Sequence, residues 1–489
     1  MNDKLRPIFH FSPREGYMND PNGLIYNRKT KEYHLFYQYS KTMYFDEYFG
    51  SWAEKNWGHA VSKNLIDWEE REIALPHDQI GLIWSGSSAA DRNNDFGVFP
   101  PGSDEDDRLV CAYACANAEP VKDYGKICCC LAYSADGGDT WQKYENNPVI
   151  PNTRNQYGEA FGDPKLFWLE DDFYPAGGTW VMITVLKMQV FTSPDLKNWT
   201  FQSEGVLENQ PFYSECPDIF PYVIGGQKKW VYSGAGKYYI VGDFRHREDG
   251  ALFFVAESKK LEANCGNLYA TQHFNNLPDG RILQLSWMSD HSSLDLYEEG
   301  KVWDGVQSIP TEFSLKQENG EYVLVFNPAR ELAAMREDAA LQVENYSFEG
   351  ALPQAEGVRL SVFDLEAVFD VSQARAFTLE FRKGGRETTR IFYTKEKSEV
   401  EVNTYLSGKV VHEHRHMPVK TENGRLKLRL LADTTVLDLF VNGGAASHGT
   451  LFFPAAESQG IALTAEGVLN IDKLAVYPIR TKKQAEGKM

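Results

Sequence analysis

Three acidic residues stand in surroundings that favour chemistry over solubility: Asp20 in Tyr17-Met-Asn-Asp-Pro-Asn-Gly23, Asp163 in Phe161-Gly-Asp-Pro-Lys165 and Glu215 in Ser214-Glu-Cys-Pro-Asp218. Each lies at a turn beside Pro, with apolar residues close by. Taken singly, such turns are also what Asp-Pro and Asn-Gly build for themselves, with the carboxylate capping backbone N–H groups. Their separations, 143 and 52 residues, assign one carboxylate to each of three structural repeats and so allow them to converge. Like charges gathered in a partly dry pocket push the pKa of one member up, leaving one ionised nucleophile and one protonated acid at neutral pH. Hydrolysis of a glycosidic bond needs that pair. Tyr37, Tyr39, Trp52, Trp57 and Trp84 crowd the same stretches. Aromatic faces stack on sugar C–H surfaces, although the area each buries makes blade packing the ordinary fate of most of them.

The elements that must position these turns read as all-β. From Ile8 to about Ser314, short aromatic and β-branched runs alternate with Gly, Pro, Asn and Asp clusters, without long amphipathic helical stretches. One pattern recurs: a run ending in Ser, a polar turn, then Trp opening the next run. It occurs at Ser62-Lys-Asn64 to Trp68, Ser134-Ala-Asp136 to Trp141 and Ser193-Pro-Asp195 to Trp199. Repeated four-stranded sheets of that kind suggest a β-propeller, and three such hairpins also fit an ordinary sandwich. Helix formers behind Pro328, as far as Arg336, predict a short helical linker. Beyond it, Val358–Phe363, Phe377–Phe381, Leu406–Val411, Leu426–Leu430 and Val436–Val441 alternate in and out, with Asn442-Gly-Gly444 as a hairpin turn. The expected division is a propeller over 1–325, a linker over 326–340 and a β-sandwich over 341–489.

The chain has 489 residues, 50 Lys+Arg against 69 Asp+Glu, and a formal net charge of −19. That charge excludes partners held mainly by phosphate contacts, so neither nucleic acid nor an anionic membrane is expected. Met1 to Pro13 carries charges and no apolar core, and no stretch reaches the length of a membrane span. Seven cysteines, an odd number with Cys128, Cys129 and Cys130 consecutive in an apolar run, point to buried thiols in a reducing compartment. A cytoplasmic location is the corresponding expectation. Neither CxxC pairs nor a His-rich cluster with metal-ligand spacing stands out, so no metal and no cofactor are expected.

Eight motifs then fall in order: Met18-Asn-Asp-Pro-Asn-Gly23, His34-Leu-Phe-Tyr-Gln38, Trp57-Gly-His59, Trp84-Ser-Gly-Ser87, Asp163-Pro-Lys165, Glu215-Cys-Pro-Asp218, Tyr269-Ala-Thr-Gln272 and Trp303 to Pro310. Together they resemble glycoside hydrolase family 32, the invertases, levanases, inulinases and sucrose-6-phosphate hydrolases, over most of residues 8–316. Leu437 to Pro454 resembles that family's appended sandwich. The resemblance implies a five-bladed β-propeller followed by a C-terminal β-sandwich, and a retaining β-fructofuranosidase that uses no cofactor. It implies Asp20 as nucleophile, Glu215 as general acid and base, and Asp163 as transition-state stabiliser. Asn19, Gln38, Trp52, Trp84, Ser85 and Trp303 are implied to line the fructose pocket. Retention corresponds to a carboxyl separation of about 5–5.5 Å, whereas the inverting chemistry of a related five-bladed family acting on arabinose-containing glycans corresponds to about 6.5–9.5 Å. The implied substrate is sucrose or a short fructo-oligosaccharide. A propeller that binds sugar without turnover is the non-enzymatic alternative, and the sandwich is a candidate for glycan binding or a homodimer contact.

Three departures mark this chain. Where the family reads Arg-Asp-Pro, the sequence has Gly162-Asp163-Pro164, and a guanidinium that would hold ring hydroxyls is missing. Arg154 or Lys165 is expected to reach into the gap, or the gap marks a specialised member that acts on levan-type β-2,6 links, transfers fructosyl groups or hydrolyses a substituted fructoside. Gly162→Arg is accordingly expected to raise activity on plain sucrose. Tyr17 replaces the family's Trp, and Lys41 to Glu54 is longer and more acidic and aromatic than usual. The acidic run from Asp91 to Arg108, if it borders the funnel, would repel phosphorylated sucrose.

Overall fold

The computed structural model describes residues 3–42, 45–46, 51–52, 54–116, 125–158, 161–185, 188–205, 215–263, 266–288, 302–409 and 411–480. The first two thirds form a five-bladed β-propeller. From the axis outward, blade 1 comprises Gly16–Asn27, Glu32–Ser40, Asn56–Ser62 and Glu69–Glu70, and blade 2 comprises Leu82–Ala90, Leu109–Ala116, Ile127–Ser134 and Gln142–Lys143. Blade 3 holds Lys165–Glu170, Gly178–Thr184, Gln189–Ser193 and Thr200–Ser203. Blade 4 holds Pro217–Ile224, Gln227–Gly234, Tyr238–His246 and Leu252–Ala256, and blade 5 holds Leu268–His273, Ile282–Met288, Thr311–Glu318 and Glu321–Pro328.

A blade buries both faces against its neighbours, so its middle strands are apolar throughout instead of alternating. Leu109–Ala116 is buried at every position. The cores lie between blades: Phe36 and Trp57 against Cys111 and Tyr113, Leu131 against Leu166 and Trp180, Phe167 against Ile219 and Trp230, and Phe220 against Tyr239 and Phe313. The Ser-turn-Trp repeat joins the third and fourth strands of blades 1 to 3. In blade 3, Asp195 Oδ1 accepts the N–H groups of Lys197 and Asn198, and Trp199 Nε1 donates to the Leu196 carbonyl. Asn64 and Asp136 hold the equivalent turns.

The ring closes where Trp303–Asp304 runs parallel to Gly16–Tyr17. Gly305 has φ +87°, and a Cβ there would come within 1.8 Å of the Met18 carbonyl oxygen. No other residue fits that approach.

A 3₁₀ helix, Arg330–Met335, leads into the sandwich. Its core is the apolar set that includes Phe363, Leu379, Leu430 and Leu474. The 19-residue strand Gly460–Pro478 pairs first with Ala374–Gly384 and then with Phe363–Asp370, which joins the two layers. Asn442, Gly443 and Gly444, all at positive φ, turn Val436–Val441 into Ala446–Leu451. Two expected strands have other bounds. Val358–Phe363 is strand only from Phe363, and Leu406–Val411 breaks after Leu406, where Gly408 adopts φ +89°.

One polar cluster joins the domains. His10 Nδ1 lies 2.9 Å from Asp433 and Nε2 lies 2.7 Å from Asp438, and the N–H groups of Ile8, Phe9 and His10 all donate to the Asp433 carboxylate. Burial alone would lower the pKa of His10, but the two carboxylates raise it to about 9.

Candidate active site

All three carboxylates sit at the start of innermost strands. Asp20 lies in the inner strand of blade 1, where the register slips between Met18 and Pro21. A bulge of this kind re-aims side chains. Asp163 precedes the inner strand of blade 3 with φ +43°, and Cys216, next to Glu215, precedes that of blade 4 with φ +44°. Left-handed non-glycine residues cost energy and persist where the surroundings dictate them.

The groups meet around Cys216. Its thiol lies 3.3 Å from Asp20 Oδ2 and 3.8 Å from Asp163 Oδ2, and its N–H donates to Asp163 Oδ2 at 3.0 Å. Asp20 Oδ2 also accepts from Ser85 Oγ at 2.7 Å and Gln38 Nε2 at 3.2 Å. Gln38 Nε2 meets Ser85 Oγ as well. Three donors thus hold an acceptor-only carboxylate in one orientation, as a nucleophile requires. Glu215 is exposed and accepts the Tyr269 hydroxyl at 2.9 Å, and Tyr269 packs on the buried pair Tyr17 and Trp287.

Burial pushes the Asp163 carboxyl up to about 7, with the charges of Asp20 and Glu215 adding to the rise. Burial, and then the same carboxylates, push the Cys216 thiol well above its usual value.

Behind Asp20 stands a group the sequence reading passed over. Lys55 is 6% exposed, and its ammonium donates to Gln38 Oε1 at 2.9 Å and to Asn19 Oδ1. Because Gln38 Oε1 accepts from Lys55, its amide nitrogen must face Asp20 and Ser85. Burial holds Lys55 down to about 7 against the opposing pull of Asp20. In the sequence Lys55 lies between Glu54 and Asn56, a polar neighbourhood that reads as surface.

A second buried network ties the turns together. Lys165 Nζ lies 2.7 Å from Asp218 Oδ1, and His273 Nδ1 lies 2.8 Å from the same oxygen. Burial opposes the charge on Asp218, yet His273 and Lys165 together hold it below the ordinary carboxylate range.

The structure brings Asn19, Asp20, Gln38, Ser85, Asp163 and Glu215 together, as the preceding contacts describe. Trp84 is half-buried against Ala114, Ala116 and Ile127. Trp303 is 2% exposed and packs with Val436, Leu451 and Phe453 of the sandwich, under the Arg6 guanidinium. The ring closure uses it as core. Trp57 and Tyr37 are likewise packing residues, each 1% exposed. The side chains of residues 43–53, Trp52 among them, lie outside the described residues.

Two further expectations change. Lys165 cannot move into the gap beside Gly162, because Asp218 and the fold hold it, and Arg154 is an exposed residue of a short 3₁₀ turn. A Cβ at Gly162 would lie 3.2 Å from Ala114 Cβ and 3.3 Å from Ile127 Cγ2, so the gap is walled by apolar groups. The acidic run begins at Asp91, six residues beyond Ser85 along the inner strand of blade 2, or roughly 20 Å at the rise of a strand. It faces the opposite mouth, where Lys29 pairs with Asp104 and Asp107 and Arg92 with Asp106. It does not border the carboxylates.

The chain is similar to known proteins along nearly its whole length. The profile of the Glycosyl hydrolases family 32 N-terminal domain matches residues 10–328, and that of the Glycosyl hydrolases family 32 C terminal matches residues 331–478. A levanase of Bacillus subtilis (strain 168) is 32% identical over 510 residues, covering 98% of this chain and 71% of the relative. A levanase of Bacillus sp. (strain L7) is 31% identical over 499 residues, covering 95% of this chain, which spans 51% of that relative. Among solved structures, exo-inulinase from Aspergillus awamori superposes with a TM-score of 0.82 at 25% identity, covering 98% of each chain.

Proposed function

The chain belongs to glycoside hydrolase family 32, and from that premise we propose that it releases terminal fructose from short β-fructofuranosides by double displacement with retention. Its class is that of a glycoside hydrolase of the β-fructofuranosidase type. The observation that carries the mechanism is the meeting of Asp20, Asp163 and Glu215 around Cys216.

Asp20, fixed by Ser85, Gln38 and Cys216, attacks the anomeric carbon while Glu215 gives its proton to the leaving oxygen. The bond to the leaving sugar breaks and a fructosyl ester forms on Asp20. Glu215, now a carboxylate, takes a proton from water, which opens the ester and restores Asp20. Asp163 binds fructose hydroxyls as positive charge develops on the ring. The six described cysteines are unpaired and buried, which supports action in a reducing compartment on imported sugars rather than on polymeric fructan.

A second reading rests on Gly162. With Lys165 held by Asp218 and the gap walled by Ala114 and Ile127, the site favours a fructoside substituted or linked so that it needs no guanidinium there.

The test is to incubate the wild type and Asp20→Ala with sucrose, kestose, levan oligomers and inulin, and to separate the products. Fructose released by the wild type alone, first as the β-anomer by NMR, establishes the retaining exo-hydrolase. Cleavage that survives in Asp20→Ala, or the α-anomer first, overturns the mechanism. Failure on all four plain substrates with cleavage of a substituted fructoside selects the second reading.

A further inference from the structure

We propose that the edge of the C-terminal sandwich carries a site for a divalent transition cation, Zn²⁺ in the first instance, formed by Glu401, His414 and His416. The sequence His412-Glu-His-Arg-His416 places His414 and His416 on one face of the strand His414–Pro418, because side chains two apart in a strand point the same way. Among the described residues that strand is the last of its sheet and pairs only with Glu399–Leu406. The register sets Glu401 directly opposite His416. The carboxylate thus comes from across the ladder, which is why no ligand spacing shows in the linear sequence.

The geometry is close to what a tetrahedral cation requires. One ligand atom from each of the three residues lies within 4.8 Å of the other two, and ligands at zinc distances are roughly 3.4 Å apart in a tetrahedron. His414 Nε2 already lies 2.7 Å from Glu401 Oε1, and the two imidazole centroids are 4.6 Å apart. Glu399 Oε1 sits 2.6 Å from His416 Nδ1, the position a carboxylate takes behind a metal-bound imidazole to fix its tautomer and orientation. The imidazole side chains are 38% and 40% exposed and the carboxylates 20% and 19%, so a cation has an entry path while the stems are held.

Two nitrogens and one carboxylate suit zinc, cobalt or nickel, whereas calcium and magnesium require oxygen cages. Three protein ligands leave one position for water. The cation would staple the sheet's edge strand to its neighbour, far in sequence from Asp20 and Glu215.

The experiment uses the full chain, stripped with EDTA and desalted. Titration with Co²⁺ should produce visible d–d absorption that saturates at one equivalent and collapses on addition of Zn²⁺. His414→Ala/His416→Ala should lose the absorption while its circular dichroism matches the wild type, both rings being at the surface. Glu399→Gln should weaken binding about tenfold or more. Absence of saturable absorption in the wild type, or absorption unchanged in the double variant, overturns the proposal.

Discussion

The ammonium of Lys165 and the carboxylate of Asp218 meet at 2.7 Å with side chains 1% and 0% exposed. Lys165 is two residues beyond Asp163, and Asp218 is three residues beyond Glu215. A single buried pair therefore fixes the spacing of the two turns that carry Asp163 and Glu215.

Removing one member of a buried pair strands the other charge, at a typical cost of about 3–5 kcal/mol. Asp218→Asn is expected to lower the free energy of unfolding by that amount at pH 7, read as a lower urea midpoint, and to reduce turnover in the protein that still folds. Because Asp218 titrates below the usual carboxylate range, the stabilisation is present above the unfolded value near 4. It is lost as the pH falls further. An unchanged midpoint at pH 7 would mean that the pair does not hold the turns.

Asp163 has the opposite sign. Its folded pKa of about 7 lies above the unfolded value near 4, so the native chain holds the proton more tightly and stability falls as pH rises between the two. Asp163→Asn removes that cost. Discounted for partial exposure, the gain expected at pH 8 is of order 1–2 kcal/mol, shrinking below pH 7 and vanishing near pH 4, while turnover is lost. Denaturant unfolding of both proteins at pH 8 and pH 4.5 checks this. Equal stability at pH 8 would show that the carboxyl carries no burial penalty.

Lys55 sets the amide orientation of Gln38, and a hydrogen bond from a charged donor is worth about 1.5–3 kcal/mol. Lys55→Met is expected to lower kcat/KM roughly 10- to 100-fold. Since Lys55 is a cation only below about 7, the wild-type rate should fall as Lys55 deprotonates, and the variant should lose that part of the alkaline limb. The folded pKa is lowered, so the unfolded chain binds more protons between about 7 and 10.4. Lys55→Met should therefore be the more stable protein at pH 6 and lose that advantage by pH 10.5. A pH–rate profile that does not move on substitution would leave Lys55 a packing residue.

What the sequence made legible, and what it hid, divides by range. The carboxylates were visible because each stands in a Pro-flanked turn whose chemistry is local. Blades 1 to 3 were visible through their Ser-turn-Trp hairpins. Blades 4 and 5 turn instead through Arg247 to Gly250 and through Asn319-Gly320, which lack that signature. The burial of Trp303 depends on Val436, Leu451 and Phe453, residues of the other domain that its sequence neighbours do not report. The clamp of His10 on Asp433 and Asp438 spans more than 400 positions, and no periodicity reports such a contact. Lys55 has polar neighbours in sequence and is buried only because blade 1 folds over it.

Gly162 shows how the structure alters an inference drawn from a missing residue. The departure from Arg-Asp-Pro suggested that Gly162→Arg would restore binding of plain sucrose. A Cβ there meets Ala114 at 3.2 Å and Ile127 at 3.3 Å, and φ is not in the left-handed region, so the obstacle is crowding and not backbone strain. Overpacking of this kind costs typically about 1–3 kcal/mol. The single variant is therefore expected to lose stability by that order and to gain little on sucrose, since the guanidinium stem is displaced from the path it needs. Gly162→Arg/Ile127→Leu removes the β-branch that carries the Cγ2 contact and is expected to recover part of the stability and to lower KM for sucrose relative to the single variant. Thermal melts and sucrose kinetics on the three proteins decide it. A single variant as stable as wild type and faster on sucrose would show that the apolar wall yields, and that the absent arginine alone sets the substrate preference.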